Sequence, residues 1–265
     1  KHGDVVKGDT YISNMDPQTG AAMIGWEHFH KKWHKPLKYD YSETGITIYL
    51  GLKDIDLEKY GFGKWNLWHC EQLDMNKMWN EMRADNFEKP WFFISTPTLH
   101  SKEPGTCPPG HEIIEICFFA NYDSFKKLKD EDYNKYLRFK NKLAFDMIDL
   151  VEKLYIPDLK KHITMRVIGS PTTCEYYVKA PRGNAYGQSL TPKNIGLGRL
   201  KAKTPFKNFF WCNASSGFGG VHGTTWTGMQ LYQDLTGDRF FDTENPEFIK
   251  KATLGRFFKV MFGSG

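Results

Sequence analysis

The chain has 265 residues, enough for one large domain or two small ones, and its 40% hydrophobic and 25% charged residues are typical of a globular protein. A net charge of +5, dispersed along the chain, argues against nucleic-acid binding. Together with 15% aromatic residues, the charge favours contact with an anionic membrane surface, although it could simply serve solubility. Five scattered cysteines without a CxxC pair argue against a disulfide framework, and no apolar run reaches the roughly 18 residues of a membrane span.

The first predicted element is a strand over residues 4–13, which follows a tight turn at residues 2–3. Because such a turn needs a partner strand upstream, we expect the sequence to be truncated at its start. The closing residues 263–265 resemble an artificial linker. Asp16 as N-cap and Pro17 at the first helical position predict a helix that runs to about Trp33.

The middle of the chain predicts strands and helices in irregular alternation. A loop with four prolines covers residues 96–110, and a helix beginning after Asp74 carries Met75, Met78, Trp79 and Met82 on one side. Helices are also predicted over 130–155 and 171–178. Strands are predicted over 46–52, 65–70, 91–95, 113–120 and 162–169. This order predicts an α+β fold with a mixed, largely antiparallel sheet covered by helices.

The C-terminal part carries the most informative pattern. After a loop over 180–207 rich in Gly, Pro and Lys come a strand over 209–212, a glycine-rich turn over 217–223 and a helix over about 224–235. Glycines at 217, 219 and 220 would let the backbone approach a flat or anionic ligand, and free amides at the helix start would stabilise negative charge. The alternative is a tight turn that only closes a strand–helix pair.

Several segments, in order, resemble one family. Residues 181–187 (PRGNAYG), 191–194 (TPKN), 204–210 (TPFKNFF) and the following turn and helix resemble the C-terminal region of the phytoene desaturase, carotenoid isomerase and retinol saturase family of FAD-dependent oxidoreductases. Residues 11–17 (YISNMDP) resemble the segment where that family's chain leaves the flavin domain. Residues 49–52 (YLGL) resemble a strand of its substrate domain. The resemblance covers nearly the whole chain.

The resemblance implies FAD as cofactor. Gly219, Gly220 and Val221 would face the isoalloxazine, and the stretch Asn213, Ala214, Ser215 and Ser216 would lie along the ribityl and pyrophosphate groups. Ala214 departs from the acidic or amide residue usual there, which puts that contact in doubt. The family's N-terminal glycine fingerprint has no counterpart in this sequence.

On the substrate side, the resemblance makes four residues candidates to contact a long apolar molecule. Arg182 and Tyr186 would line the flavin end of a tunnel, or Arg182 would instead anchor its loop by a hydrogen bond. Trp226 and Met229 on the last helix could touch substrate, or they could belong to the core. His28, His30 and His34 share a predicted helix, but neighbouring lysines and the lack of a further ligand argue against a metal there.

The resemblance also implies a division of the chain. Residues 1–17 would end a flavin-domain strand, 18–170 would form the substrate domain, 171–240 would return to contact the flavin, and 241–265 would be a basic, aromatic tail. Residues 246–262 of that tail have the composition of an interfacial helix, or they pack on their own domain.

The resulting hypothesis is an FAD-dependent enzyme that desaturates, saturates or isomerises double bonds of a long apolar polyene, of carotenoid or retinoid type. We expect it to be cytoplasmic or peripherally membrane-bound, to bind no nucleic acid, and to be inactive without its missing N-terminal flavin-binding part. One alternative is a non-catalytic lipid- or polyene-binding module derived from such an enzyme. Another is a peripheral membrane protein that uses only its tail.

Overall fold

A computed structural model describes residues 3–101 and 103–238. These residues fall into two compact units. The first takes its described residues from 1–39 and 190–265, and the second spans 40–189. The division into flavin-contacting and substrate segments stays a prediction, and the tail 246–262 lies outside the described residues.

The secondary structure combines short and long strands with helices. The strands are β1 (Tyr11–Ser13), β2 (Thr44–Lys53), β3 (Leu67–His69), β4 (Phe92–Ser95), β5 (His111–Ala120), β6 (Ile163–Gly169) and β7 (Phe209–Trp211). The α-helices are α1 (Pro17–Ile24), α2 (Lys31–Leu37), α3 (Met75–Arg83), α4 (Pro97–His100), α5 (Tyr122–Glu131), α6 (Tyr133–Leu154), α7 (Leu159–His162), α8 (Pro171–Val178) and α9 (Gly220–Thr236). Short 3₁₀ helices cover Trp26–His28, Leu57–Tyr60, Pro181–Gly183, Gly196–Gly198 and Ala214–Ser216.

The second unit is built on a five-stranded sheet in the order β3-β4-β5-β2-β6, in which neighbouring strands are antiparallel. Alternate residues of β2 point to opposite faces, so Ile46, Ile48, Leu50 and Leu52 are fully buried while their neighbours are not. Complete burial of each such side chain contributes about 1.5–3 kcal/mol. The core on this face includes α6. The α+β prediction, with a largely antiparallel sheet covered by helices, is therefore confirmed.

The long helix begins later than the sequence predicts. Asp132 is extended (φ −157°) and its carboxylate accepts hydrogen bonds from the amides of Asn134 and Lys135 at 2.8 and 3.0 Å. This N-cap starts α6 at Tyr133 and separates it from α5, a helix that was not predicted from the sequence.

In the first unit, β1 and β7 pair in parallel. The predicted strand over 4–13 is regular only over β1. Asp16 caps α1 as predicted, but Gly25, with φ +104°, interrupts the helix that was expected to reach Trp33. Trp211 of β7 is fully buried in a small core with Ala21, Phe29, Leu37 and Leu200.

The last described helix begins earlier than predicted. α9 starts at Gly220 instead of about Thr224, so half of the glycine-rich turn forms its first turn. It ends at Thr236 and is capped by Gly237, whose φ of +82° is the left-handed conformation common after a helix. Within the described residues, no helix is long and apolar enough to cross a bilayer.

Candidate functional site

The two parallel strands of the first unit bring distant segments to one edge. Because β1 and β7 run in the same direction, the residues that follow the two strands lie at the same edge of the sheet. The side chain of Asn14 donates to the carbonyl of Cys212 at 2.7 Å, and that of Asn213 donates to the carbonyl of Met15 at 2.9 Å. Ligands of open α/β sheets bind at this kind of edge, beyond the carboxyl ends of parallel strands.

The turn after β7 is held by its own side chains. The Asn213 side-chain oxygen accepts hydrogen bonds from the amides of Ser215 and Ser216 at 2.9 and 3.1 Å. The Ser216 hydroxyl in turn accepts from the Asn213 amide at 3.1 Å, which completes a capping box. Both serines and Asn213 are buried, whereas Ala214 is half-buried. The side-chain oxygen of Asn213 and the hydroxyl of Ser216 therefore serve the turn itself.

A buried arginine lies directly against this turn. Arg199 is only 8% exposed; its Nε donates to the carbonyl of Gly217 at 2.7 Å and its Nη2 donates to the carbonyl of Ala214. Burial lowers the pKa of Arg199, yet a guanidinium stays protonated at any ordinary pH. The turn therefore has a fixed positive charge beside it. The sequence gives no signal for this role, because Arg199 lies in a loop crowded with basic residues.

The start of α9 follows this turn. Gly219 is the N-cap, and no side chain in the described part of the protein caps it. The first amides of a helix lack partners within the helix, and the dipole places positive charge there. Gly220 has φ +82°, a conformation that disfavours any other residue, and Val221 is 82% exposed. The arrangement can stabilise an electron-rich group through backbone amides.

Two glycines of the turn are needed for internal packing. A Cβ on Gly217 would come within 2.1 Å of the Thr227 hydroxyl, and one on Gly223 would come within 2.7 Å of the Phe218 side chain. The same Thr227 hydroxyl accepts from the Phe218 amide at 3.1 Å and donates to the Gly223 carbonyl at 2.9 Å. The tight-turn alternative thus explains Gly217, while a role for Gly219 and Gly220 towards a ligand stays a prediction.

The four substrate candidates lie in different units. Trp226 and Met229 belong to α9 in the first unit, where Trp226 is 39% exposed and Met229 is half-buried. Arg182 and Tyr186 belong to the second unit. Tyr186 is half-exposed, and its backbone amide donates to Ser42 at 2.8 Å.

Arg182 is engaged with its own unit. Its Nη2 donates to Asp123 at 2.7 Å, and its guanidinium lies 4.9 Å from the ring centre of Tyr122. The hydrogen bond from Arg182 lowers the pKa of Asp123. These contacts are those expected if Arg182 anchors its loop, and the substrate role stays a prediction.

The histidine cluster of the first unit is engaged with backbone groups. His34 Nε2 lies 3.2 and 3.0 Å from the carbonyls of Trp26 and Phe29, and His30 Nδ1 accepts from the Lys32 amide at 3.3 Å.

Comparison with known proteins finds similarity to enzymes named for retinol and carotenoid substrates. It is 25% identical over 64% of its length to all-trans-retinol 13,14-reductase of Danio rerio, and 29% identical over 86% of its length to 4,4'-diaponeurosporene oxygenase of Staphylococcus aureus (strain MSSA476). It is also 24% identical over 67% of its length to prolycopene isomerase 2, chloroplastic, of an Oncidium hybrid cultivar. The resemblance to the carotenoid and retinoid oxidoreductases is confirmed.

The matches cover only part of each relative. The chain spans 30% of the retinol reductase, 44% of the diaponeurosporene oxygenase and 29% of the prolycopene isomerase. No family model matches the chain.

Proposed function

We propose that this chain is part of an FAD-dependent oxidoreductase or isomerase that desaturates, saturates or isomerises double bonds of a long apolar polyene. Its relatives are named as a retinol reductase, a diaponeurosporene oxygenase and a prolycopene isomerase. These names support an enzyme and do not favour the non-catalytic binding module. The substrate class comes from them and from the family resemblance.

The structural observation that carries the proposal is the start of α9. It combines an N-cap without a side-chain partner among the described residues, a glycine in the left-handed region and the buried guanidinium of Arg199 beside the preceding turn. Helix amides and a fixed positive charge suit the electron-rich part of a reduced flavin. When bound, FAD would supply the exchange of hydride or electrons with the double bond.

The residues present fit such a group through their backbone. Gly219, Gly220 and Val221 would hold the flavin ring by their amides. The turn Asn213–Ser216 would approach the rest of the cofactor by its backbone and by Ala214, because the Asn213 and Ser216 side chains are bonded internally. Arg199 would position this turn instead of touching the cofactor.

The remaining parts of the proposal concern substrate and surroundings. Trp226, Met229, Arg182 and Tyr186 would contact the apolar substrate. Peripheral membrane contact would deliver a substrate that partitions into lipid. Residues that bind most of the FAD would lie outside this sequence, in a part of the protein corresponding to the unmatched length of the relatives.

The test begins with the complete natural chain that contains this sequence. We expect the purified protein to show a flavin absorption spectrum, or to take up FAD on titration, and to change the absorption spectrum of an added carotenoid or retinoid. Absence of both flavin and flavin uptake would overturn the proposal in favour of the binding module.

A matched pair of glycine variants tests the site itself. Gly220→Ala and Gly237→Ala both place a side chain at φ +82°, at opposite ends of α9. We expect Gly220→Ala to weaken FAD binding by at least about tenfold, because a displaced amide loses a charge-assisted contact. Gly237→Ala should leave FAD binding unchanged. Equal FAD affinity in the two variants would contradict the assignment of the flavin to this helix end.

A further inference from the structure

Three sulfur atoms lie together in the second unit. The Sγ of Cys70 is 3.7 Å from the Sδ of Met75 and 3.6 Å from the Sδ of Met78. Cys70 is exposed, Met75 is half-exposed and Met78 is buried, so the group reaches from the surface into the edge of the core. None of these residues belongs to the flavin site proposed above.

The local sequence explains why the three sulfurs meet. Asp74 caps α3 by accepting from the Lys77 amide at 2.9 Å, which fixes the first turn of the helix. Met75 and Met78, three residues apart, then lie on the same side of that turn. The preceding turn folds back, and the Cys70 thiol donates to the Gln72 carbonyl at 2.9 Å.

We propose that Cys70, Met75 and Met78 bind one Cu(I) ion. Thiolate and thioether sulfurs are soft ligands that select Cu(I) over harder ions. With metal–sulfur bonds of about 2.3 Å, as zinc thiolates show, three sulfurs around one ion in a plane lie about 4 Å apart. The separations of Cys70 Sγ from the two methionine sulfurs are within about 0.4 Å of that value. On binding, the Cys70 thiol releases its proton to solvent and copper stays as Cu(I), so no oxidant or reductant is required.

The surroundings favour a soft monovalent cation over zinc. The described residues contain no group of three His, Cys, Asp or Glu side chains that could hold a metal. The neighbouring His69 has Nδ1 2.6 Å from the Tyr155 hydroxyl; its Nε2 lies 3.5 Å from Glu71 and has no hydrogen-bond partner among the described residues.

The charge and shape of the neighbourhood also suit a cation. The three carboxylates of residues 70–82 outnumber the one lysine there, Lys77, which lies 3.9 Å from Glu81. A cavity of about 470 Å³ is lined in part by Met75, Met78 and Trp79.

The experiment is an anaerobic titration of the purified chain with Cu(I), in competition with the chelator bathocuproine disulfonate. We expect one Cu(I) per chain. Cys70→Ser and Met75→Leu should each lower the Cu(I) affinity by at least about tenfold, since even outer-shell changes at metal sites cost that much. Met78→Leu should do the same while leaving the circular dichroism spectrum unchanged, because Leu conserves the buried volume.

Two variants are the controls. Cys107→Ser removes a thiol that donates to the His111 carbonyl elsewhere in the unit, and Met23→Leu removes an exposed thioether. Both should retain full Cu(I) affinity. Failure of the unaltered chain to take Cu(I) from the chelator would overturn the proposal, as would a Cys107→Ser variant that loses as much affinity as Cys70→Ser. The titration needs no flavin, so its result is independent of the proposed enzyme function.

Discussion

Replacing the buried Arg199 by methionine should loosen the turn after β7 while leaving the second unit intact. Methionine has a similar length and no charge, so the substitution removes the donors to the carbonyls of Ala214 and Gly217 without opening a large cavity. The substitution therefore removes the Arg199 donors, among them the two hydrogen bonds to the proposed flavin-binding turn.

The size of the effect follows from those bonds. Each hydrogen bond from a charged donor contributes about 1.5–3 kcal/mol, and an unpaired buried carbonyl costs about 1–3 kcal/mol. Relief from burying a guanidinium offsets part of the loss. We expect Arg199→Met to lower the local free energy of opening by about 2–4 kcal/mol. Arg182→Met is the matched control, because the Arg182–Asp123 pair is half-exposed and surface pairs contribute about 0–1 kcal/mol.

Amide hydrogen exchange measures this opening segment by segment. Peptides covering residues 209–236 should lose protection in Arg199→Met, whereas peptides of α6 should not change. A shift below about 0.5 kcal/mol in residues 209–236, or an equal loss of protection in α6, would refute the role given to Arg199.

Three further predictions concern single sites. Asn213→Ala should lower the unfolding free energy by about 1–2 kcal/mol in urea titrations through loss of the cap, and an unchanged midpoint would contradict that role. Gly217→Ala should lower the unfolding free energy by about 1–3 kcal/mol, because its Cβ would meet the Thr227 hydroxyl at 2.1 Å. Gly8→Ala, whose nearest contact is at 3.8 Å, should leave the unfolding free energy unchanged in the same assay. Burial lowers the pKa of His69 below 6.5, so the unfolded chain binds the proton more readily than the folded chain. The unfolding free energy should therefore fall as pH drops below 6.5. His69→Gln should reduce that decline in urea titrations repeated from pH 7.5 to 5.

Sequence patterns predicted the second unit well because its elements are strongly periodic. The β-branched and aromatic residues over 46–52 predicted a strand, which has one buried face, and the helical spacing over 133–154 predicted a helix, which has one buried stripe. Apart from α5, which was missed entirely, several errors lie at boundaries, where single residues decide. The Asp132 cap ends one helix and begins another, and Gly25 interrupts a helix whose apolar pattern continues.

The candidate site was only partly predictable. The strand–turn–helix order was correct, and Asn213 with Ser216 proved to hold the turn. The position of the helix start was missed by four residues, because glycines disfavour helices in general and Gly220 follows its cap directly. Arg199 was missed because long-range contacts of a loop arginine leave no local pattern, and resemblance alone supplied the cofactor.

The parallel pairing of β1 with β7 constrains the order of folding. Asn14 and Cys212, which bond at this edge, are 198 positions apart in the sequence, whereas the second unit is one continuous stretch. During synthesis from the N-terminus, residues 40–189 are complete before β7 leaves the ribosome, so β1 has no strand to pair with until then. Closing so long a loop is entropically cheaper once the intervening stretch is already compact. The second unit is therefore expected to gain its structure first, and the turn proposed to receive the flavin to form last.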